Sequence, residues 1–138
     1  MNGRYLVFAF IFLLLSVSAI SKAQNSPVIY FCERYNIDSG EVHISDSFTK
    51  GPITIMVKSN NEIGLKNVYI QFDKWDPDSL SFKFYKRFNF TIKPDMKYIF
   101  FSKNDESDMS LDEPGFYRVF LLTGSDKTIA SGLVQIIV

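Results

Sequence analysis

Apolar residues are arranged in two different ways along this chain of 138 residues. From Leu6 to Ile20 they form a nearly unbroken run, preceded by Arg4 and followed by Ser21-Lys22-Ala23. From Val28 onward they alternate with polar residues. The segments Ile53-Thr54-Ile55-Met56-Val57-Lys58 and Val68-Tyr69-Ile70-Gln71-Phe72-Asp73 repeat every two residues, the period of a strand that buries one face. In the longest such stretch Phe82, Phe84, Phe88, Phe90 and Ile92 all take even positions. Lys86 alone breaks the series and marks a bulge or a crossing between sheets. Further strands are predicted over Val28 to Arg34, around Val42 and Ile44, over Met96 to Ser102 (apolar on both faces), over Phe116 to Leu122 and over Thr128 to Val138. Gly51-Pro52, Asn60-Asn61, Lys74-Trp75-Asp76-Pro77-Asp78 and Gly124-Ser125-Asp126 punctuate them as turns, and Asn104 to Glu113 reads as an acidic loop. The stretch from Phe82 to Ile92 lacks the three-and-four spacing of an amphipathic helix. About seven or eight short strands separated by regular turn signals predict an all-β antiparallel sandwich.

The N-terminal run changes the compartment rather than the fold. A positive start, about 15 apolar residues and small residues at the two positions read by a signal peptidase predict a secretory signal peptide over residues 1–23. The run falls short of the roughly 20 apolar residues of a spanning helix, so no membrane anchor is expected after cleavage. Cys32 follows Val-Ile-Tyr-Phe, not the small residues of a lipid-attachment site. The expected product is a single domain, residues 24–138, exported to a periplasm or to the extracellular space. Removal of Arg4 and Lys22 with the leader leaves 13 of the 15 basic residues against 15 acidic ones, a net charge of −2. Without a basic excess, nucleic acid is not an expected partner.

One local sequence sharpens the fold. In Leu111-Asp112-Glu113-Pro114-Gly115-Phe116-Tyr117-Arg118-Val119 a Tyr follows a Gly by two residues after an acidic loop. This resembles the corner that leads into strand F of immunoglobulin-like and fibronectin-type-III-like domains, where the Tyr buries its ring and hydrogen-bonds backwards to the loop. With its leader, the chain resembles exported bacterial domains of this immunoglobulin-like group. The cysteine pair of true immunoglobulin domains is missing, and Trp75 stands at the end of its strand instead of the middle. The resemblance implies a fold and carries no function with it.

Candidate chemistry is sparse. The chain has one His and one Cys. Cys32, inside an apolar run, is expected to be a buried thiol, and it has no partner for an internal disulfide. His43 is expected to face solvent, opposite an inward Val42 and Ile44, which leaves no Cys-His or Ser-His-Asp arrangement. No Gly-x-Ser-x-Gly elbow occurs, and one His falls short of the three or four ligands of a zinc site. No catalytic residue and no cofactor is expected: the protein reads as a non-enzyme. Calcium is an alternative, because Asp73, Asp76 and Asp78 crowd one loop and Asn104, Asp105, Asp108, Asp112 and Glu113 another, and loop oxygens suit that ion. The competing explanation is that acidic residues solvate and cap exposed turns.

The remaining feature is an aromatic face. If Val68, Ile70 and Phe72 point inward, Tyr69, Gln71, Asp73 and Trp75 point out. If Tyr117, Val119 and Leu121 point inward, Phe116, Arg118, Phe120 and Leu122 point out. Neighbouring strands would then gather Tyr69, Trp75, Phe116, Arg118 and Phe120, a mixture suited to a protein-interaction hot spot. The expectation is a protein-binding module with an unidentified protein partner. Against it stand a covering loop or N-terminal strand, or reversed faces. A glycan-binding module is a second alternative, with only Gln71 and Asp73 as polar companions to the rings. Asn89-Phe90-Thr91 is a formal glycosylation sequon inside a predicted strand. The last strand offers an edge for strand addition.

Overall fold

The structure, a computed structural model, describes residues 26–138; the signal peptide expected over residues 1–23 lies outside them. The described residues form eleven strands and no helix. They are β1 (Val28–Asn36), β2 (Gly40–Ile44), β3 (Ser47–Thr49), β4 (Gly51–Pro52), β5 (Thr54–Lys58), β6 (Asn67–Asp76), β7 (Ser81–Thr91), β8 (Tyr98–Phe101), β9 (Ser110–Leu111), β10 (Gly115–Thr123) and β11 (Thr128–Ile137). One sheet has the order β2-β1-β5-β8, the other β3-β11-β10-β6-β7, and β4 pairs with β9 as a small third sheet. All pairings are antiparallel except that of β3, which runs parallel to the end of β11. The described chain therefore enters through the first sheet and crosses to the second at β3.

Alternation places the core between the two large sheets. Val68, Ile70 and Phe72 of β6 and Tyr117, Val119 and Leu121 of β10 have no solvent exposure. They join one cluster with Ile29, Phe31, Ile55, Val57, Ile99 and Phe101 from the opposite sheet. The sheets come closest where β11 passes β1. A Cβ on Gly132 would stand 3.1 Å from the Ile29 side chain and 3.2 Å from the Phe31 ring, so only glycine fits without displacing them.

The corner predicted from sequence forms. The Tyr117 ring is fully buried and its hydroxyl donates to the Glu113 carbonyl at 2.7 Å. Gly115 makes the approach possible: its φ of 140° lies in a region that favours glycine. Lys74 reaches over the same corner to the Glu113 carboxylate. With β5 beside β8 in one sheet and β6, β10 and β11 adjacent in the other, strand order and corner define an immunoglobulin-like sandwich.

Four local expectations change. The period-two series in β7 does not keep one face. Pairing with β6 steps from Phe72↔Lys86 to Asp73↔Phe84, leaving Tyr85 as an extra residue. Phe88 and Phe90 sit opposite inward Ile70 and Val68, whereas Phe82 and Phe84 sit opposite outward Trp75 and Asp73. Lys86 thus enters the sandwich end. Its ammonium donates to the carbonyls of Asp108, at 2.7 Å, and of Ser110, among the rings of Phe72, Tyr85 and Phe88. Burial pushes its pKa below the ordinary lysine value, opposed by the carboxylates of Asp108 and Asp112.

The acidic stretch over 104–113 is not simply a solvated loop. Met109 and Leu111 are fully buried, β9 pairs with β4, and the polar backbone around them is held by Lys86. In β2, the pattern read from Val42 and Ile44 also fails. His43 has φ 53°, a left-handed conformation that interrupts the alternation, and Ile44 is 62% exposed. The end of β11, read as open for strand addition, is already paired: Gln135, Ile136 and Ile137 lie against Ser47, Phe48 and Thr49.

The outer face of the first sheet carries a second, smaller buried layer. Cys32 and Met56 are fully buried but stand outside the main cluster, on the opposite side of their strands from Phe31 and Ile55. Nearby, the hydroxyls of Tyr30 and Tyr98 both donate to the Glu41 carboxylate, and Lys58 lies 5.0 Å from the Tyr98 ring centre. The β1–β2 hairpin is thereby tied across to β8.

Two outcomes follow from these contacts. Tyr117→Phe leaves the ring in place and removes its bond to the Glu113 carbonyl; urea unfolding is expected to show a loss of about 1 kcal/mol with an unchanged m-value. The donations from Tyr30 and then Tyr98 pull the Glu41 pKa from 4.5 down to about 2. A depressed carboxylate contributes its full stabilisation above the unfolded value, and that contribution is lost as pH falls through the folded one. Acid unfolding of the native protein is therefore expected to steepen between pH 4.5 and about 2. Glu41→Gln should lower stability at neutral pH and flatten that part of the profile.

Candidate functional site

The outer face of the five-stranded sheet is built by the same alternation that builds the core. β10 pairs with β6 so that Arg118 lies opposite Asp73, Phe120 opposite Gln71 and Leu122 opposite Tyr69. Tyr69, Trp75, Phe116, Arg118 and Phe120 all fall on this side. Phe116 is 50% exposed and Arg118 is exposed, while Tyr69, Trp75 and Phe120 are half-buried. Leu122 points out with them as expected, opposite Tyr69 and beside Phe120 and Arg87, but these neighbours cover it and it is only 6% exposed.

The bulge in β7 adds two rings that period-two counting assigns to the other side. Phe82 packs edge-on to Trp75 with ring centres 5.2 Å apart, and Phe84 is 65% exposed. Lys86, the break in the even-numbered series, was the sequence signal that could have found them. From β11, Leu133 sits opposite Arg118 and is also exposed.

Two arginines organise the rings. The Arg118 guanidinium stands 4.3 Å from the Phe82 ring centre and 5.8 Å from that of Phe120. It makes no ion pair among the described residues. The Arg87 guanidinium lies 3.8 Å over Tyr69 and is paired with the Asp126 carboxylate. Cation–π contacts of this kind at exposed sites contribute about 0.5–1 kcal/mol each and hold the side chains flat against the sheet. At one end of the face Trp75, Pro77, Phe84, Pro114 and Phe116 surround a notch of about 540 Å³.

The other candidate groups are dispersed. Asp76 is held low in pKa first by the Ser79 hydroxyl and then by the Asp78 amide. Asp108, drawn down to about 2, is bonded by Ser110 and Lys103. Asp73 accepts from the Gln71 amide on the outer face, and Asp78, Asp105 and Asp112 are exposed. Among the described residues no three His, Cys, Asp or Glu side chains converge as a metal site. His43 is exposed and bonded to the Glu33 carboxylate; Cys32 is buried, with its thiol pKa raised by that burial. The pair is not brought together. Asn89 of the sequon is exposed on β7.

The described chain is thus an all-β, immunoglobulin-like sandwich with one open aromatic face, and among its described residues no helix is long and apolar enough to cross a membrane. No protein-family model matches the chain, and no curated protein matches it. Among solved structures it is similar to an immunoglobulin-like protein from Pseudomonas aeruginosa, at 10% identity and a TM-score of 0.46, over 83% of this chain and 99% of that one. It is also similar to a superoxide reductase (neelaredoxin) from Ignicoccus hospitalis, at 13% identity and a TM-score of 0.43, over 88% and 89% of the two chains. The fold assignment rests on strand order and the Tyr117 corner.

Trp75 is the one tryptophan of the chain, so its emission reports on this face. Phe82→Ala removes the ring that shields one edge of the indole and supports Arg118. Its fluorescence is expected to shift to the red and to become more accessible to acrylamide, with the cooperative unfolding transition retained.

Proposed function

We propose that the protein is an exported, non-enzymatic interaction module that binds another protein through the outer face of its five-stranded sheet. The observation that carries this reading is the contiguity of Trp75, Phe82, Phe84, Phe116, Arg118 and Phe120 on an open face. Exposed aromatic clusters around an arginine match the composition of binding hot spots. The rings are already fixed against one another, so binding immobilises few new rotamers and costs correspondingly little entropy. A partner suited to this face offers an apolar side chain for the notch beside Trp75 and a carboxylate for Arg118. Export is supported by the sequence pattern of residues 1–23, and the absence of catalysis by the single His and single Cys standing apart.

Phe116 is the position to probe, because half of its side chain is free and it borders the notch. A photo-crosslinking residue placed there in the native host is expected to give one dominant protein adduct. Arg118→Glu, at an exposed position, should abolish that adduct while leaving the melting temperature within a few degrees of the native value. Several weak adducts, or one that survives Arg118→Glu, would overturn the proposal.

A further inference from the structure

The aromatic face leaves the opposite feature of the sandwich unused: the side on which both sheets end. β8 terminates the four-stranded sheet and β7 the five-stranded one, and no further strand lies beside either among the described residues. Between these edges runs a groove of about 490 Å³. Phe90 and Ile92 wall it on one side, and Ile99 and Phe101 of β8 on the other. Tyr35 and Phe100, stacked with ring centres 4.4 Å apart, form its outer lip.

An apolar groove of this size could hold an acyl chain or an extended peptide, and the strand edge discriminates between them. β8 is paired on one side only, with β5, so alternate N–H and C=O groups of Tyr98 to Phe101 face away from the sheet. An acyl chain covering them would remove them from water without bonding them, at a cost in free energy for each group. A peptide strand satisfies them, and its alternate side chains fall into the groove and onto the outer lip, the geometry of strand addition. Charge sets the peptide's chemistry. Lys93 is the one charged residue lining the groove, it is exposed, and it has no ion pair among the described residues. Between residues 93 and 101 two lysines, Lys93 and Lys97, face a single acid, Asp95.

We infer that the open edge of β8 is an acceptor for an extended segment of another protein, apolar at alternate positions and acidic at one end. This site is separate from the aromatic face and does not depend on that reading.

The test uses isotope-labelled protein and a synthetic peptide, acetyl-Asp-Glu-Val-Thr-Val-Thr-Val-amide, as probe. Saturable binding is expected, with slowed amide exchange at Tyr98 to Phe101. N-methylation of alternate probe residues along one edge should weaken binding about tenfold, and along the other edge should leave it unchanged. Lys93→Glu should weaken the acidic probe about threefold, and a probe with Lys-Lys in place of Asp-Glu should regain that loss. Absence of saturable binding would overturn the inference. So would equal effects of the two N-methyl patterns, which would mean groove filling without strand pairing, or amide changes on β6 and β10 in place of β8.

Discussion

The pairing of β6 with β10 decides both what the sandwich buries and what it displays. Ile70 meets Leu121 and Phe72 meets Val119 in a register that puts Val68 and Tyr117 into the same buried layer. The same register puts Tyr69 and Trp75 on the surface that carries Phe116, Arg118 and Phe120. A slip of one residue would exchange the two sets and bury Arg118 and Asp73 in place of Val119 and Phe72, so register is strongly specified. The Tyr117 corner pins the start of β10 just where the pairing with β6 begins. Core, corner and outer face are therefore consequences of one alignment.

This dependence explains which parts of the protein are legible in its sequence. β5, β6 and β10 alternate cleanly, and the inside–outside assignment of Tyr69, Trp75, Phe116, Arg118 and Phe120 follows from counting by two. The corner is legible because Gly115 and Tyr117 serve a backbone geometry that few other residues can adopt. Counting fails where one residue is added to a strand. Tyr85 is such a residue, and it moves Phe82 and Phe84 to the outer face although their spacing from Phe88 is even. The left-handed His43 breaks the count in β2. Met109 and Leu111 were hidden for another reason: the acidic residues around them dominate the local composition, and only the distant Lys86 shows that their backbone is held at the sheet end.

The two sheets handle their outer faces by different physical means. On the first, the β1–β2 hairpin reaches back so that Glu41 joins Tyr30 to Tyr98, and the side chains below, Cys32 and Met56, lose contact with water. That contact spans 57 positions between Glu41 and Tyr98 and leaves no periodic signature. On the second, no strand or hairpin is tied over the face among the described residues, and the rings are held by Arg118 and Arg87. A face closed by its own hairpin is spent on stability. A face held flat by cation–π contacts among its own side chains remains available, with Phe84, Phe116, Arg118 and Leu133 left exposed.

The same contrast extends to the sandwich's margins. β3, parallel to the end of β11, occupies one margin at Gln135–Ile137 with a strand of three residues. The other margin, between β7 and β8, has no such cover among the described residues, and there the core reaches the surface through Phe90 and Ile92. Proteins ordinarily protect a sheet edge by shortening, charging or bulging it. β7 follows that practice with its bulge at Tyr85 and its lysines, and β8 follows it only in length. An edge of four residues is too short to recruit strands indiscriminately, yet it is backed by an apolar groove that rewards a matching sequence. Selectivity at such an edge comes from the groove, since the backbone alone would accept any chain.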